Sequence, residues 1–328
     1  MNYSVLMTFR ASILQRKAHV EMLSLIPKIT YLADCATRRD HVSRLIDDER
    51  AYVATILART RDFSALTGLY TRYVALQPST IAERRYGIDG VLLIRAGDLY
   101  KALAFEAKRP RFMTPKPWDN IIPGPLMTRF HRQLTHQKLL HTIGWVTGGL
   151  FISDIKQGNP GPIGTDSLGS TFIPWEKLYV HSLNFITPGI WDTAKLIAFM
   201  GTTSVLNFEE LLVDTLQCRQ GTPLTEEELI ASVEVFADDS RKATKLQMHE
   251  SHESESAQSS RKEFSPEPSD PTTRLLRRIG RDTSARGVVM IDLGNDPEAE
   301  QYHRLWRQVR LDRNLPEASD GGWIRERF

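Results

Sequence analysis

Along the first quarter of the chain, apolar residues recur at three- and four-residue steps. Val42, Leu45, Ile46, Val53, Ile56, Leu57, Leu66 and Leu69 stand between charged positions, the period of an amphipathic helix. The spacing predicts helix from residue 10 to about 75, ended by Pro78-Ser79-Thr80, where a Ser or Thr can cap a further turn toward Glu83. The period then shortens. Residues 88–94 and 100–107 are apolar-rich runs separated by the turn-like Arg95-Ala96-Gly97-Asp98, and they predict two antiparallel strands. After a proline-rich bend, helix is expected from Leu126 to about Thr142, then a strand over residues 146–152.

Further helical patterns lie at residues 191–200, 208–217 and 225–236, the last opening on the capping-box-like Thr225-Glu226-Glu227-Glu228. Gly158-Asn159-Pro160-Gly161-Pro162-Ile163-Gly164 lacks a Gly-Lys-Ser/Thr ending, so it reads as a long hairpin connection rather than a phosphate-binding loop. From about residue 240 to 273 large apolar side chains nearly vanish, and such a stretch cannot offset its ordering entropy by burial. The organisation expected is a helical N-terminal region (1–79) packed on a core (80–239), a flexible linker (240–273) and a small C-terminal strand/helix segment (274–328). That last segment is rich in arginine and has no lysine.

Composition narrows the class. With 41% hydrophobic and 25% charged residues the chain can bury a core. No stretch reaches the ~20 apolar residues a membrane span needs, and the apolar run before Arg10 is short and lacks a basic flank and cleavage site. Two cysteines, Cys35 and Cys218, are too few for a disulfide framework or a cysteine metal cage. A reducing, cytoplasmic setting is expected. The net charge of +2 argues for no polyanionic partner by itself.

The chemistry-bearing pattern is Gly87-Ile88-Asp89-Gly90 followed by Phe105-Glu106-Ala107-Lys108. Alternation on a strand puts Glu106 and Lys108 on one face and Phe105 and Ala107 on the other. A hairpin brings Asp89, at the head of the preceding strand, alongside them. Two carboxylates offer hard oxygen ligands to Mg²⁺ or Mn²⁺, which would lower the pKa of a bound water and offset charge on a phosphoryl centre. Lys108 would stabilise developing negative charge, and Glu83 could add a carboxylate. The bland alternative is a surface hairpin whose Glu106 and Lys108 make an exposed pair of little energetic value.

This segment resembles the PD-(D/E)xK, or restriction-endonuclease-like, nuclease superfamily over roughly residues 80–155. Ile88 stands where the pattern's name has Pro. The resemblance implies an α/β core with a central mixed sheet flanked by helices. It also implies Asp89 and Glu106 as metal ligands and Lys108 as the catalytic lysine. An upstream helical acid is often present, which Glu83 would match, as is a glutamine on the following helix. Gln133 and Gln137 both qualify, and Gln137 is preferred because it lies nearer the helix end.

Local charge agrees with a polyanionic substrate. Residues 95–141 carry nine Lys and Arg against three acids, and Arg109, Arg111, Lys116, Arg132, Gln133 and Lys138 are candidate nucleic-acid contacts. His131, His136 and His141, spaced by five, fall off a common helix face and are not expected to hold a metal. The expected function is a Mg²⁺-dependent nuclease, with DNA favoured over RNA as partner; the resemblance would suit an effector of microbial defence or restriction. The alternatives are an RNA-cleaving enzyme of the same fold and a non-catalytic nucleic-acid-binding or assembly protein. The C-terminal segment is open to two readings: a surface for a second copy or a partner protein, or a final strand and helix docked on the core.

Overall fold

The computed structural model describes residues 25–66, 70–75, 87–112, 118–119, 121–122, 127–159, 161, 163–185, 191–250, 270–294 and 297–315. Glu83, Lys116 and the expected helix at residues 10–24 lie outside them. Among the described residues, nine helices flank a seven-stranded mixed sheet, the α/β arrangement expected. No helix in this set is long and apolar enough to cross a membrane.

The expected hairpin is present as β2 (Gly90–Ala96) and β3 (Leu99–Lys108), paired antiparallel. Gly97, at φ 61°, takes the left-handed turn conformation that glycine adopts without steric cost. β4 (Val146–Phe151) lies parallel to the outer half of β3, and β5 (Thr171–Pro174) returns antiparallel along β4. The glycine- and proline-rich loop is thus part of a β4–β5 hairpin connection, as expected. A two-residue strand, β6 (Leu224–Thr225), pairs with the opening of β3.

The N-terminal region departs from expectation. The N-terminal helical run is two helices, α1 (Ile26–Val42) and α2 (Glu49–Leu66), and then a strand, β1 (Tyr70–Ala75). Gly68 disfavours helix, and Tyr-Thr-Arg-Tyr-Val suits a strand once an edge is offered. That edge comes from β7 (Gly287–Asp292), which runs between β1 and β2, antiparallel to the first and parallel to the second. The sheet order is β1-β7-β2-β3-β4-β5. Residues 274–294 therefore dock on the core, one of the two readings left open for the C-terminal segment, with Val288, Val289 and Ile291 fully buried in the sheet.

Alternation along the strands sorts the core into two faces. Leu92, Ile94, Leu103, Phe105, Val289 and Ile291 pack against Tyr52 and Ile56 of α2, against α6 (Phe208–Leu216), and against Trp306 of α9 (Pro297–Asp312). On the other face Val91, Leu93, Ala104 and Met290 meet Leu140 of α3 (Arg129–Ile143), α7 (Glu226–Glu250) and α8 (Pro271–Thr283). α4 (Trp175–Leu183) and α5 (Thr193–Met200) close the β5 end of that face with Leu178 and Leu196 against Phe130, Phe151 and Ile173.

α7 carries the expected capping pair, Thr225 N–H to Glu228 Oε2 at 2.8 Å and Glu228 N–H to Thr225 Oγ1 at 3.3 Å. It runs to Glu250, ten residues past the expected linker start at 240. Ala, Lys, Leu, Gln and Met in residues 243–248 favour helix by intrinsic propensity. The rest of the expected linker, residues 251–269, lies outside the described residues. α9 is held by Trp306, whose Nε1 donates to the Leu216 carbonyl at 2.9 Å, and by Arg310, buried with Glu228 through a two-pronged ion pair.

Candidate active site

Asp89 precedes β2 and is fixed to β3 twice. Its N–H donates to the Phe105 carbonyl at 2.8 Å, and its Oδ2 accepts from the Ala107 N–H at 2.8 Å. The carboxylate is thereby pinned beside Glu106. Glu106 and Lys108 share the α3 face of the sheet, while Phe105 and Ala107 join the opposite core, as alternation requires. Glu106 is only 4% exposed. The Lys108 ammonium and the Gln133 amide both donate to its Oε1, and neither bond uses Oε2. Lys108 Nζ also stands 5.6 Å from the Phe130 ring centroid.

These groups line a cleft of about 160 Å³. Four further charged side chains and one aromatic that the sequence pattern did not single out as site residues complete its wall: Glu49, Arg50, Asp119, Arg286 and Trp118. Arg129, counted only as part of the basic stretch, lines it too. Glu49 opens α2, and its Oε1 accepts from the Arg109 N–H at 2.7 Å. It is a carboxylate on a helix lining the cleft; Glu83, the sequence candidate for such a group, lies outside the described residues. Arg286 arrives from the far end of the chain because β7 runs parallel to β2 with Gly287 beside Gly90. Its N–H donates to the Asp89 carbonyl at 2.9 Å, and its Nε lies 3.6 Å from Asp89 Oδ1.

Electrostatics follow from crowding acids in a buried place. Burial first, and the Asp89 carboxylate second, push the Glu106 carboxyl up to about 8 against the pull of Lys108. Burial would discharge Lys108, but the Glu106, Glu49 and Asp89 carboxylates raise its pKa above the ordinary lysine value. Four acids (Glu49, Asp89, Glu106 and Asp119) and four cations (Arg50, Lys108, Arg129 and Arg286) share the cleft wall, and Lys108 is the cation bonded to Glu106.

Gln137 does not line the cleft. Its Nε2 donates to the Gly87 carbonyl at 2.7 Å and the Gly148 carbonyl at 3.4 Å, tying α3 to the backbone beneath the site. Gln133, one turn earlier, reaches Glu106. Gly87, at φ 67°, lets this happen, since a Cβ there would sit 2.6 Å from Gln133 Cβ. Of the other expected nucleic-acid contacts, Arg109, Arg111, Arg132 and Lys138 do not line the cleft. His131 bonds Ser182 Oγ at 2.7 Å and stacks on Tyr179, and His141 lies against Trp175; both serve packing.

Among the described residues, no group of three His, Cys, Asp or Glu side chains is placed to hold a metal ion. Mg²⁺ does not need one, because it keeps several waters and binds through one or two carboxylates. The donor set here fits such an ion: hard oxygens only, on a buried Glu106 and a half-buried Asp89 that repel each other, with Glu106 Oε2 outside the bonds made by Lys108 and Gln133. No protein-family model, curated protein or solved structure matches the chain.

Proposed function

We propose that this chain is a metal-dependent nuclease of the restriction-endonuclease-like kind, hydrolysing phosphodiester bonds in DNA. The observation that carries the reading is the convergence of Asp89, Glu106, Lys108 and Gln133 in one cleft, with Glu49 joining from α2. An exposed ion pair on a surface hairpin, the bland alternative, does not describe a Glu106 that is 4% exposed.

Asp89 and Glu106 would hold Mg²⁺ or Mn²⁺, with Glu49 as a third carboxylate on the same cavity. Such an ion, when bound, supplies charge neutralisation and an acidified water. The chain's own groups do the rest. Gln133 orients Glu106, and Lys108 offers a compact positive charge to the phosphoryl oxygens as negative charge builds there. Arg286, Arg50 and Arg129 give the wall cationic donors suited to phosphate.

The test is cleavage of supercoiled, linear and single-stranded DNA and of RNA, in Mg²⁺, Mn²⁺ or EDTA. DNA cleavage should require the metal and should fall by at least ~100-fold in both Asp89→Ala and Lys108→Ala, the scale at which removing one transition-state group registers. Metal-dependent cleavage that survives both substitutions would sink the site assignment, and cleavage of RNA alone would replace the substrate class.

A further inference from the structure

α8 is two-sided. Leu275, Leu276, Ile279 and Thr283 are buried against the sheet, whereas Arg274, Arg277 and Arg281 stand exposed on the opposite face. Arg278, on the shoulder of that face, is paired with Glu234 and Asp282, and Arg281 with its neighbour Asp282 at 3.2 Å. Arg274 and Arg277 have no ion-pair partner among the described residues. The helix then turns through Ser284, at φ 56°, and two residues later delivers Arg286 into the cleft against Asp89. The exposed arginines are thus on the segment that builds the cleft wall. From Arg274 onward the chain has eleven arginines and no lysine. A solvated face would accept either residue, but a planar guanidinium matches phosphate oxygens in a way an ammonium does not.

We propose that the arginine face of α8 is the substrate-approach surface, binding the phosphate backbone of a DNA duplex beside the cleft. The inference rests on the nuclease reading for its substrate class, and on the geometry of α8 for its location. Arg274 and Arg281 are seven residues apart, about 10.5 Å along a helix axis. That length spans roughly three phosphates of one strand at ~3.4 Å each along the duplex axis. A rigid row of cations suits the regular phosphate row of a duplex.

The experiment measures anisotropy of a short labelled DNA duplex, without divalent metal, across a salt series. The triple variant Arg274→Gln/Arg277→Gln/Arg281→Gln should bind at least ~10-fold more weakly. Its log–log salt slope should be shallower by about 2.7, at ~0.9 per lost phosphate contact. Changing the same three positions to Lys should restore much of the low-salt affinity. An unchanged affinity and slope in the Gln variant overturns the proposal, as does a wild type that binds no duplex. Tighter binding to an RNA duplex overturns the DNA assignment. Because binding is read without cleavage, the two ideas fail separately. A wild type that binds through these arginines yet cuts nothing removes the nuclease reading alone, while one that cuts, with binding untouched by the Gln variant, removes this inference alone.

Discussion

Gln133 and Gln137 lie one helical turn apart, are both essentially fully buried, and serve different ends. Gln133 holds the acid of the cleft; Gln137 holds the backbone below it. Replacement should therefore separate activity from stability. Gln133→Leu should lower cleavage by about 10–100-fold, the usual cost of losing a group that orients a ligating carboxylate, with little change in melting temperature. Gln137→Leu should cost about 1–3 kcal/mol of stability, because the Gly87 carbonyl loses its buried donor. Paired thermal melts and cleavage assays decide it, and the reverse pattern would return the site role to Gln137. Sequence spacing could not have chosen between them. Both face the sheet, and the difference is the close approach of Gly87, a contact from more than forty residues away.

At the scale of elements, local signals were readable and distant pairing was not. The β2–β3 hairpin was legible because alternation and the Gly97 turn both lie within one short stretch, so Asp89, Glu106 and Lys108 could be grouped from the sequence. β1 was hidden because its six residues become a strand only against β7, more than two hundred residues away. Glu49 was hidden for a similar reason: nothing in Asp47-Asp48-Glu49-Arg50 marks the third acid as the one that meets Arg109. The docking of α9 was left open, since amphipathic spacing fits a partner surface or the chain's own core. Its buried Arg310–Glu228 pair now makes a prediction. Arg310→Ala should destabilise by about 3–5 kcal/mol, because Glu228, fully buried, is left without its main counter-charge. Urea unfolding measures this, and a loss under about 1 kcal/mol would mean that α9 is held by Trp306 and its apolar neighbours alone.

At the scale of the molecule, α1 is fastened to the β4–β5 connection by a buried polar group. Asp34 accepts from the Tyr52 hydroxyl at 2.8 Å, from the Ser170 N–H at 2.6 Å and from the Ser170 hydroxyl at 2.8 Å. Burial outweighs these bonds and pushes its carboxyl up to about 6, against ~3.9 in an unfolded chain. Between those values the folded state holds more of the proton, so Asp34 contributes less stability as pH rises through that window. The four buried or half-buried histidines with lowered pKa, His41, His131, His141 and His181, work in the opposite sense as pH rises toward 6.5. A difference measurement cancels them. The advantage of wild type over Asp34→Asn in urea should be greatest near pH 4 and should shrink to a plateau above about pH 6. An advantage that grows with pH would show the carboxylate to be stabilised by its surroundings.

The placement of β7 between β1 and β2 also sets the order in which the molecule is made. When β2 leaves the ribosome, the strand that will cover its open edge is still 191 residues from being made, counting from Ala96 to Gly287. At ~5–20 residues per second that is roughly 10–40 s. Through that interval an apolar strand edge waits unpaired, an invitation to chaperones and to sticking, and Asp89 has no Arg286 beside it. The cleft is assembled late, after translation has passed residue 286, so a nascent chain carries the acids of the site long before it carries the site.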